Sequence, residues 1–255
     1  MKGNLARPGA LRGIYAIWWR ESLVFFRETP RIISAITSPI IWLVIFGAGF
    51  GPSIDVGTDY RQFIFAGILV QTFLFSSLFY GAYLVWDRKI DVLKAVLVSP
   101  LGRTSIFLGK VLGGVTISLL ESVIVLAIGY LLGMQYSPLT ALAVLGLIAL
   151  ASAGLTALGL TIGSFMDSPE GFQLLFGIVL FPLFFLSGAL FPVGNLEGAL
   201  GVLSSVNPVT YIVDLLRGTI SGVFYFSPEL DSGALAIFVV LSNLAGILAF
   251  RRMKS

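Results

Sequence analysis

Few residues in this chain are equipped for chemistry. Its 255 residues include no Cys and no His. That removes disulfides, thiolate nucleophiles, and haem or zinc sites built on those ligands. The sequence contains no Gly-x-x-x-x-Gly-Lys-Ser/Thr phosphate loop. The nearest stretch, from Gly102-Arg103-Thr104 to Gly109-Lys110, has the wrong spacing and opens an apolar run. There is no Gly-x-Ser-x-Gly elbow, and no constellation for covalent or acid–base catalysis. One carboxylate, Glu121, falls deep within an apolar segment. A charge at the bilayer centre costs about 2.5–3.5 kcal/mol on insertion scales, so such a group faces the interior or is protonated. Glu121 reads either as a pathway-lining or proton-carrying group, or as a carboxyl hydrogen-bonded to a neighbouring helix. A second polar feature is Gln71, Thr72, Ser76 and Ser77, surrounded by Phe73, Phe75, Phe79 and Tyr80. Phe172, Phe176, Phe181, Phe184 and Phe185, with Pro182 among them, form another aromatic run. An aromatic cavity with few polar groups suits an amphipathic or hydrophobic ligand. The same rings could instead face lipid or pack helices.

These groups must be positioned by elements that live in a bilayer. Hydrophobic residues make up 57% of the chain and charged residues only 11%, with mean hydropathy +0.98. A soluble domain carries about 25% charged residues. The composition excludes an ordinary soluble enzyme, a disordered chain and a fibrous repeat, and predicts an all-α polytopic membrane protein. A spanning helix needs about 20 apolar residues. Six segments qualify: 32–50, 62–86, 106–132, 139–165, 172–190 and 233–250. The segment 133–138, with Gly133 and Ser137-Pro138, separates the third from the fourth. Asp167, Pro169 and Glu170 mark a loop between the fourth and fifth.

Charge sets the expected orientation. Lys2, Arg7, Arg12, Arg20, Arg27 and Arg31 precede the first span. Arg88, Lys89, Lys94, Arg103 and Lys110 lie around the second-to-third connection, and Arg251, Arg252 and Lys254 follow the sixth. That places 14 of 16 basic residues on one side, leaving Arg61 and Arg217 on the other. The positive-inside rule makes that side cytoplasmic and puts both termini there. Asp55, Asp59, Glu197, Asp214, Glu229 and Asp231 fall outside. The basic excess reads as topology rather than a nucleic-acid footprint. The start of the chain does not read as a cleavable leader.

Three segments are neither span nor simple loop. Residues 11–28 read as an interfacial helix, with Leu11, Ile14, Tyr15, Trp18, Trp19, Phe25 and Phe26 opposite an arginine face. The alternative, a downward extension of the first span, is disfavoured by the Thr29-Pro30 break. Residues 87–98 form a second amphipathic piece that Ser99-Pro100-Leu101-Gly102 terminates. It is expected to be either a docking surface or a solvated connector on the membrane. Residues 191–232 contain two amphipathic pieces, 196–206 and 209–221. They read either as a re-entrant hairpin, whose irregular backbone must be buried or line a wet cavity, or as a compact surface loop.

The stretch Phe181-Pro182-Leu183-Phe184-Phe185-Leu186-Ser187-Gly188-Ala189-Leu190-Phe191-Pro192, followed by Asn207-Pro208-Val209-Thr210-Tyr211 and Asp214-Leu215-Leu216-Arg217, carries a resemblance. It resembles the C-terminal signature of the membrane subunit of type-2 ATP-binding-cassette exporters, the bacterial permeases for drugs, nodulation factors and polysaccharides. Asp87-Arg88-Lys89 to Ser99-Pro100-Leu101 is similar to that family's first cytoplasmic coupling segment. The resemblance covers nearly the whole chain. It implies a single transmembrane domain over 1–255, and two such permeases paired with two separate ATPase subunits. The permease itself would be no enzyme and bind no cofactor, ATP and Mg being held by the ATPase partner. Segment 87–100 would be the coupling helix, with Asp87, Arg88, Lys89, Asp91, Leu93 and Lys94 in that role. The 164–171 loop would add Asp167 and Glu170. The second and fifth spans would line the pathway, through Gln71, Phe75, Phe79, Phe181 and Phe185. The hairpin would gate the extracellular exit, through Asn207, Pro208, Tyr211, Asp214 and Arg217. The substrate would be hydrophobic or amphipathic: a drug, lipid or lipo-oligosaccharide. The alternatives are a proton-coupled secondary transporter using Glu121, a polysaccharide-export permease, and a non-transporting membrane scaffold. The implied location is a bacterial or archaeal cytoplasmic membrane.

Overall fold

Helix starts in this chain follow one repeated piece of local chemistry. Pro takes the first helical position, where its missing N–H costs nothing, and a Ser or Asn before it caps the exposed N–H groups. Ser137-Pro138, Ser168-Pro169, Asn207-Pro208 and Ser227-Pro228 each begin a helix. Their side-chain oxygens accept from the backbone N–H of Thr140 (3.0 Å), Gly171 (3.1 Å), Val209 (2.9 Å) and Leu230 (3.3 Å).

The computed structural model describes residues 9–45 and 60–253. Among these, every regular element is helical: α1 Ala10–Arg27, α2 Thr29–Val44, α3 Tyr60–Lys89, α4 Val92–Val98, α5 Arg103–Leu131, α6 Pro138–Ser164, α7 Pro169–Phe185, α8 Gly198–Val206, α9 Pro208–Ser221 and α10 Pro228–Arg252. A 3-10 turn, Val193–Asn195, precedes α8. Lys2, Arg7, Asp55, Asp59, Lys254 and the last part of the predicted first span, 46–50, lie outside the described residues.

Helices α3, α5, α6 and α10 are each long and apolar enough to cross a bilayer. The α8–α9 pair meets the same test only when taken together, and it is bent by 78°. α7 is apolar but has 17 residues. The predicted fifth span, 172–190, is therefore displaced. Its helix starts three residues earlier and stops at Phe185. Beyond it the chain turns, with Gly188 at φ +78°, a left-handed conformation that favours glycine.

α3 sits at the centre and has no single apolar face, as expected of a helix packed against neighbours around most of its middle. Phe65, Leu69, Val70, Phe73 and Leu74 have no exposed surface. α6 and α5 flank it, α7 and α9 pack on it elsewhere, and α10 packs on α6 and α9. The connector after α7 presses its backbone onto α3 at Gly67, where a Cβ would stand 2.1 Å from the Ala189 carbonyl oxygen. Tyr60 on the same helix donates to the Leu190 carbonyl at 3.3 Å.

Candidate functional site

The segment expected to couple the chain to a partner is built from the end of α3, a sharp turn, and α4. The predicted continuous helix over 87–98 is divided. Asp87, Arg88 and Lys89 complete α3, and Asp91 adopts φ +60° before α4 begins. Asp tolerates this conformation better than most residues. The break lets α4 turn Leu93 inward, where it is buried against the core that includes Ile17, Leu84, Ile106 and Phe107. Lys89, Ile90, Asp91, Lys94, Ala95 and Val98 stay exposed. Ile90 is 62% and Val98 78% exposed, large apolar groups among charges. Leu93 and Asp87 do not share this outer face, so they hold the segment in place rather than present it.

Asp87 belongs to a buried charge cluster. Lys110, on α5, has no exposed surface. Its ammonium donates to Asp87 Oδ2 at 2.7 Å and to Glu21 Oε1, on α1, at 2.8 Å. Arg20 pairs with Asp87 at 3.1 Å and with Glu21 at 2.8 Å. The Tyr80 hydroxyl of α3 donates to Glu21 Oε2 at 2.8 Å. Two cations and two carboxylates thus balance where a lone charge would be costly to bury. Burial opposes the Arg20 charge, but the hydrogen bonds and charge of Asp87, with the charge of Glu21, raise its pKa above the ordinary value.

The cluster works because α1 lies directly on α5. At Gly109 a Cβ would meet Ile17 Cβ at 2.6 Å, and at Gly113 it would meet Glu21 Cβ at 2.7 Å. Trp18 Nε1 donates to Thr116 Oγ1 at 2.8 Å. Gly13, Ile17, Glu21 and Phe25 form the stripe that faces inward. Much of the aromatic face remains outside: Leu11, Tyr15, Trp19 and Phe26 are all exposed. α1 therefore carries two working faces. Sequence reasoning missed the inner one, and with it Glu21. Its signal was a carboxylate four residues from Ile17 and from Phe25, on one helical stripe with both.

The turn is tied to the α6–α7 loop. Arg88 donates to the carbonyls of Met166 (2.6 Å) and Ser164 (2.9 Å) and pairs with Asp167 at 3.3 Å. It thereby caps the C-terminal end of α6, where carbonyls lack partners and the helix dipole favours a cation. Lys89 lies 3.8 Å from Glu170, and Lys94 lies 2.7 Å from Asp91. The two expected contact regions are thus one continuous surface. Arg103 joins α10 to it by donating to the Met253 carbonyl.

The expected pathway residues separate into two sets. Gln71 and Glu121 are buried inside the bundle, each 5% exposed. Ser77 and Ser118 are buried as well and hydrogen-bonded to each other at 2.8 Å. Phe75 packs edge-on against Phe184 at 5.8 Å between centroids, and Phe79 against Phe176 at 5.4 Å, so both rings join α3 to α7. Phe181 and Phe185 are exposed and, with Leu174 and Ile178, continue one apolar stripe along α7.

At the opposite end, the expected gate residues organise the α8–α9 hairpin. Asn207 caps α9 and donates from Nδ2 to the Leu183 carbonyl at 2.8 Å. Pro208 takes the first helical position, and Tyr211 donates to the Ser205 carbonyl at 2.5 Å. Asp214 accepts from the backbone N–H groups of Tyr225 (2.9 Å) and Phe226 (2.7 Å). Arg217 donates to the Gly188 carbonyl at 2.7 Å and lies 3.8 Å over the Phe63 ring. The i,i+3 spacing of Asp214 and Arg217 does not produce an ion pair; each pins a different connector. Together they border a cavity of about 290 Å³.

Among the described residues no group of three or more Asp or Glu could hold a metal. The model of the ABC-2 type transporter family matches residues 12–221. The chain is 28% identical over 242 residues to a putative transport permease, ycf38, of Cyanophora paradoxa, covering 89% of this chain and 83% of that one. It is 26% identical over 242 residues to nodulation protein J of Rhizobium leguminosarum bv. viciae, covering 93% of each. It is 28% identical over 244 residues to nodulation protein J of Rhizobium meliloti, covering 93% and 92%.

Proposed function

The chain belongs to the ABC-2 type transporter family, and from that premise we propose that it is the permease subunit of an ATP-driven exporter. The reading assigns it no catalytic residues. ATP and Mg sit in a separate ATPase subunit, present in two copies and facing two copies of this chain. The membrane is a bacterial or archaeal cytoplasmic membrane, crossed six times by α2, α3, α5, α6, α7 and α10, with both termini inside. The cargo is hydrophobic or amphipathic, a drug, lipid or lipo-oligosaccharide.

One observation carries the reading. At the basic end, an exposed surface of Lys89, Ile90, Asp91, Lys94 and Val98 stands on a rigid base. That base is the Lys110 cluster on one side and the Arg88 contacts with the α6–α7 loop on the other. A surface that receives force must be stiffly joined to the spans it moves. Apolar groups ringed by charge suit a protein partner.

The test is assembly with the ATPase. Reversing the charges of Asp91 and Lys94 together, with Val98→Glu, should abolish co-purification with the ATPase and ATP-dependent transport while the permease still folds. Intact assembly and transport in that variant would sink the assignment. Substrate class is read by stimulation of the assembled complex's ATPase with drugs, lipids and lipo-oligosaccharides. Stimulation by hydrophilic glycans alone would defeat the proposed cargo chemistry.

A further inference from the structure

Asp231 lies in the first turns of α10 and has no exposed surface. Neither of its carboxylate oxygens receives a hydrogen bond among the described residues. A buried carboxylate without a donor is among the costliest arrangements in a protein. The start of α10 favours a negative charge through its dipole, yet none of its N–H groups reaches these oxygens. The neighbour within hydrogen-bonding reach is another carboxylate, Asp214 of α9.

The remaining surroundings do not supply a positive charge. Arg217 lies on α9 beside Asp214; its guanidinium donates to the Gly188 carbonyl and lies over the Phe63 ring, and its Nε has no hydrogen-bond partner among the described residues. No ion pair joins it to Asp231 among the described residues. α6, the other principal neighbour of α10, contains no ionisable residue along Pro138–Ser164. α5 meets α10 at the basic end, through Phe107 and Phe250. On α10 itself Glu229 is exposed and adds only negative charge. Tyr225, in the connecting loop, offers its backbone N–H to Asp214. Asp214 thus accepts from two backbone N–H groups, while the oxygens of Asp231 accept from none among the described residues.

Two carboxylates in contact cannot both stay charged at low dielectric. We propose that Asp214 and Asp231 form a proton-binding site, in which a proton carried by Asp231 is donated to Asp214. The bond ties α10 to α9. Because Asp214 also holds the loop 222–226, one proton secures the whole corner beside the 290 Å³ cavity. Removing it sets two anions against each other and loosens the hairpin from α10. The site is distinct from Glu121, which lies on α5, and it stands whether or not the ATPase assignment holds.

The experiment uses the full-length chain in lipid nanodiscs. Infrared spectra at neutral pH should contain the carbonyl stretch of a protonated carboxyl that disappears in Asp231→Asn and titrates away on raising the pH. Thermal stability should follow. A proton bound by the folded state and released on unfolding makes stability fall as pH rises. The Asp231→Asn protein, whose amide donates permanently, should show a flatter profile over the same range. Absence of the band from the wild-type protein, or its persistence unchanged in the variant, overturns the proposal. So does stability that tracks sodium rather than pH, which would place a metal cation between the carboxylates. If Asp231→Asn does not accumulate, titration of the wild-type band against the band in Asp214→Asn decides the matter.

Discussion

The residue on which the basic end depends is Lys110. It is wholly buried, and its ammonium meets Glu21 and Asp87 at 2.8 and 2.7 Å. Such a cluster adds little net stability over an apolar core, but removing one partner strands the others. Lys110→Met removes one cation and leaves two carboxylates to share Arg20. A loss of about 3–5 kcal/mol is expected, measured by unfolding in mild detergent. Adding Glu21→Gln to that variant should recover part of the loss, because Arg20 and Asp87 remain a matched pair. A single variant as stable as the wild type would show that the cluster does not hold the helices. Arg20 carries its charge at all physiological pH, its pKa being raised further by Asp87 and Glu21. The Arg20 contribution should therefore not vary with pH in that range.

At the scale of elements, α1 packs along α5 and leaves an aromatic face outside. Gly109→Ala should push it off α5, since the new Cβ falls 2.6 Å from Ile17 Cβ and 2.8 Å from the Ile14 carbonyl oxygen. Overpacking of this kind costs about 1–3 kcal/mol. Faster amide exchange across Ala10–Arg27, with α3 and α6 unchanged, is the expected signature. Unaltered exchange would mean that α1 does not rest on this face. Much of the helical plan was legible beforehand, because Ser-Pro and Asn-Pro pairs cap helices through local chemistry alone. The α1–α5 contact was not legible. Glu21, Asp87 and Lys110 each have an ordinary local reading, as part of a helix face, a connecting segment and a topogenic charge. Only the crossing of three helices brings them together. The division of the 87–98 helix was hidden for a similar reason. It turns on a left-handed Asp91, a state open to Asp but not dictated by it. The expected pathway residues diverged because an aromatic run does not say which rings join helices. Phe75 and Phe79 do; Phe181 and Phe185 remain outside.

At the scale of the whole molecule, the surface left over by packing bears on how two copies meet. α10 presents Ile237, Val240, Leu241, Leu244 and Leu248, a purely aliphatic surface suited to lipid tails. α7 is shorter, rests chiefly on α3, and presents Leu174, Ile178, Phe181 and Phe185. Exposed aromatics in the last turns of α7 are better used against another protein than against acyl chains, because aromatic anchors are enriched in protein interfaces. If two copies enclose a pathway for an apolar cargo, α7 should line the contact. The chain contains no Cys, so single thiols can be introduced without background. Phe181→Cys and Phe185→Cys in membranes should yield crosslinked dimers with a short bifunctional maleimide, and added cargo should slow the reaction. Val240→Cys and Leu244→Cys, on the aliphatic face of α10, should remain monomeric under the same conditions. The reverse pattern would place the dimer contact on α10 and leave the α7 stripe to lipid. Phe181 and Phe185 would then have no part in a central pathway, however aromatic their surroundings.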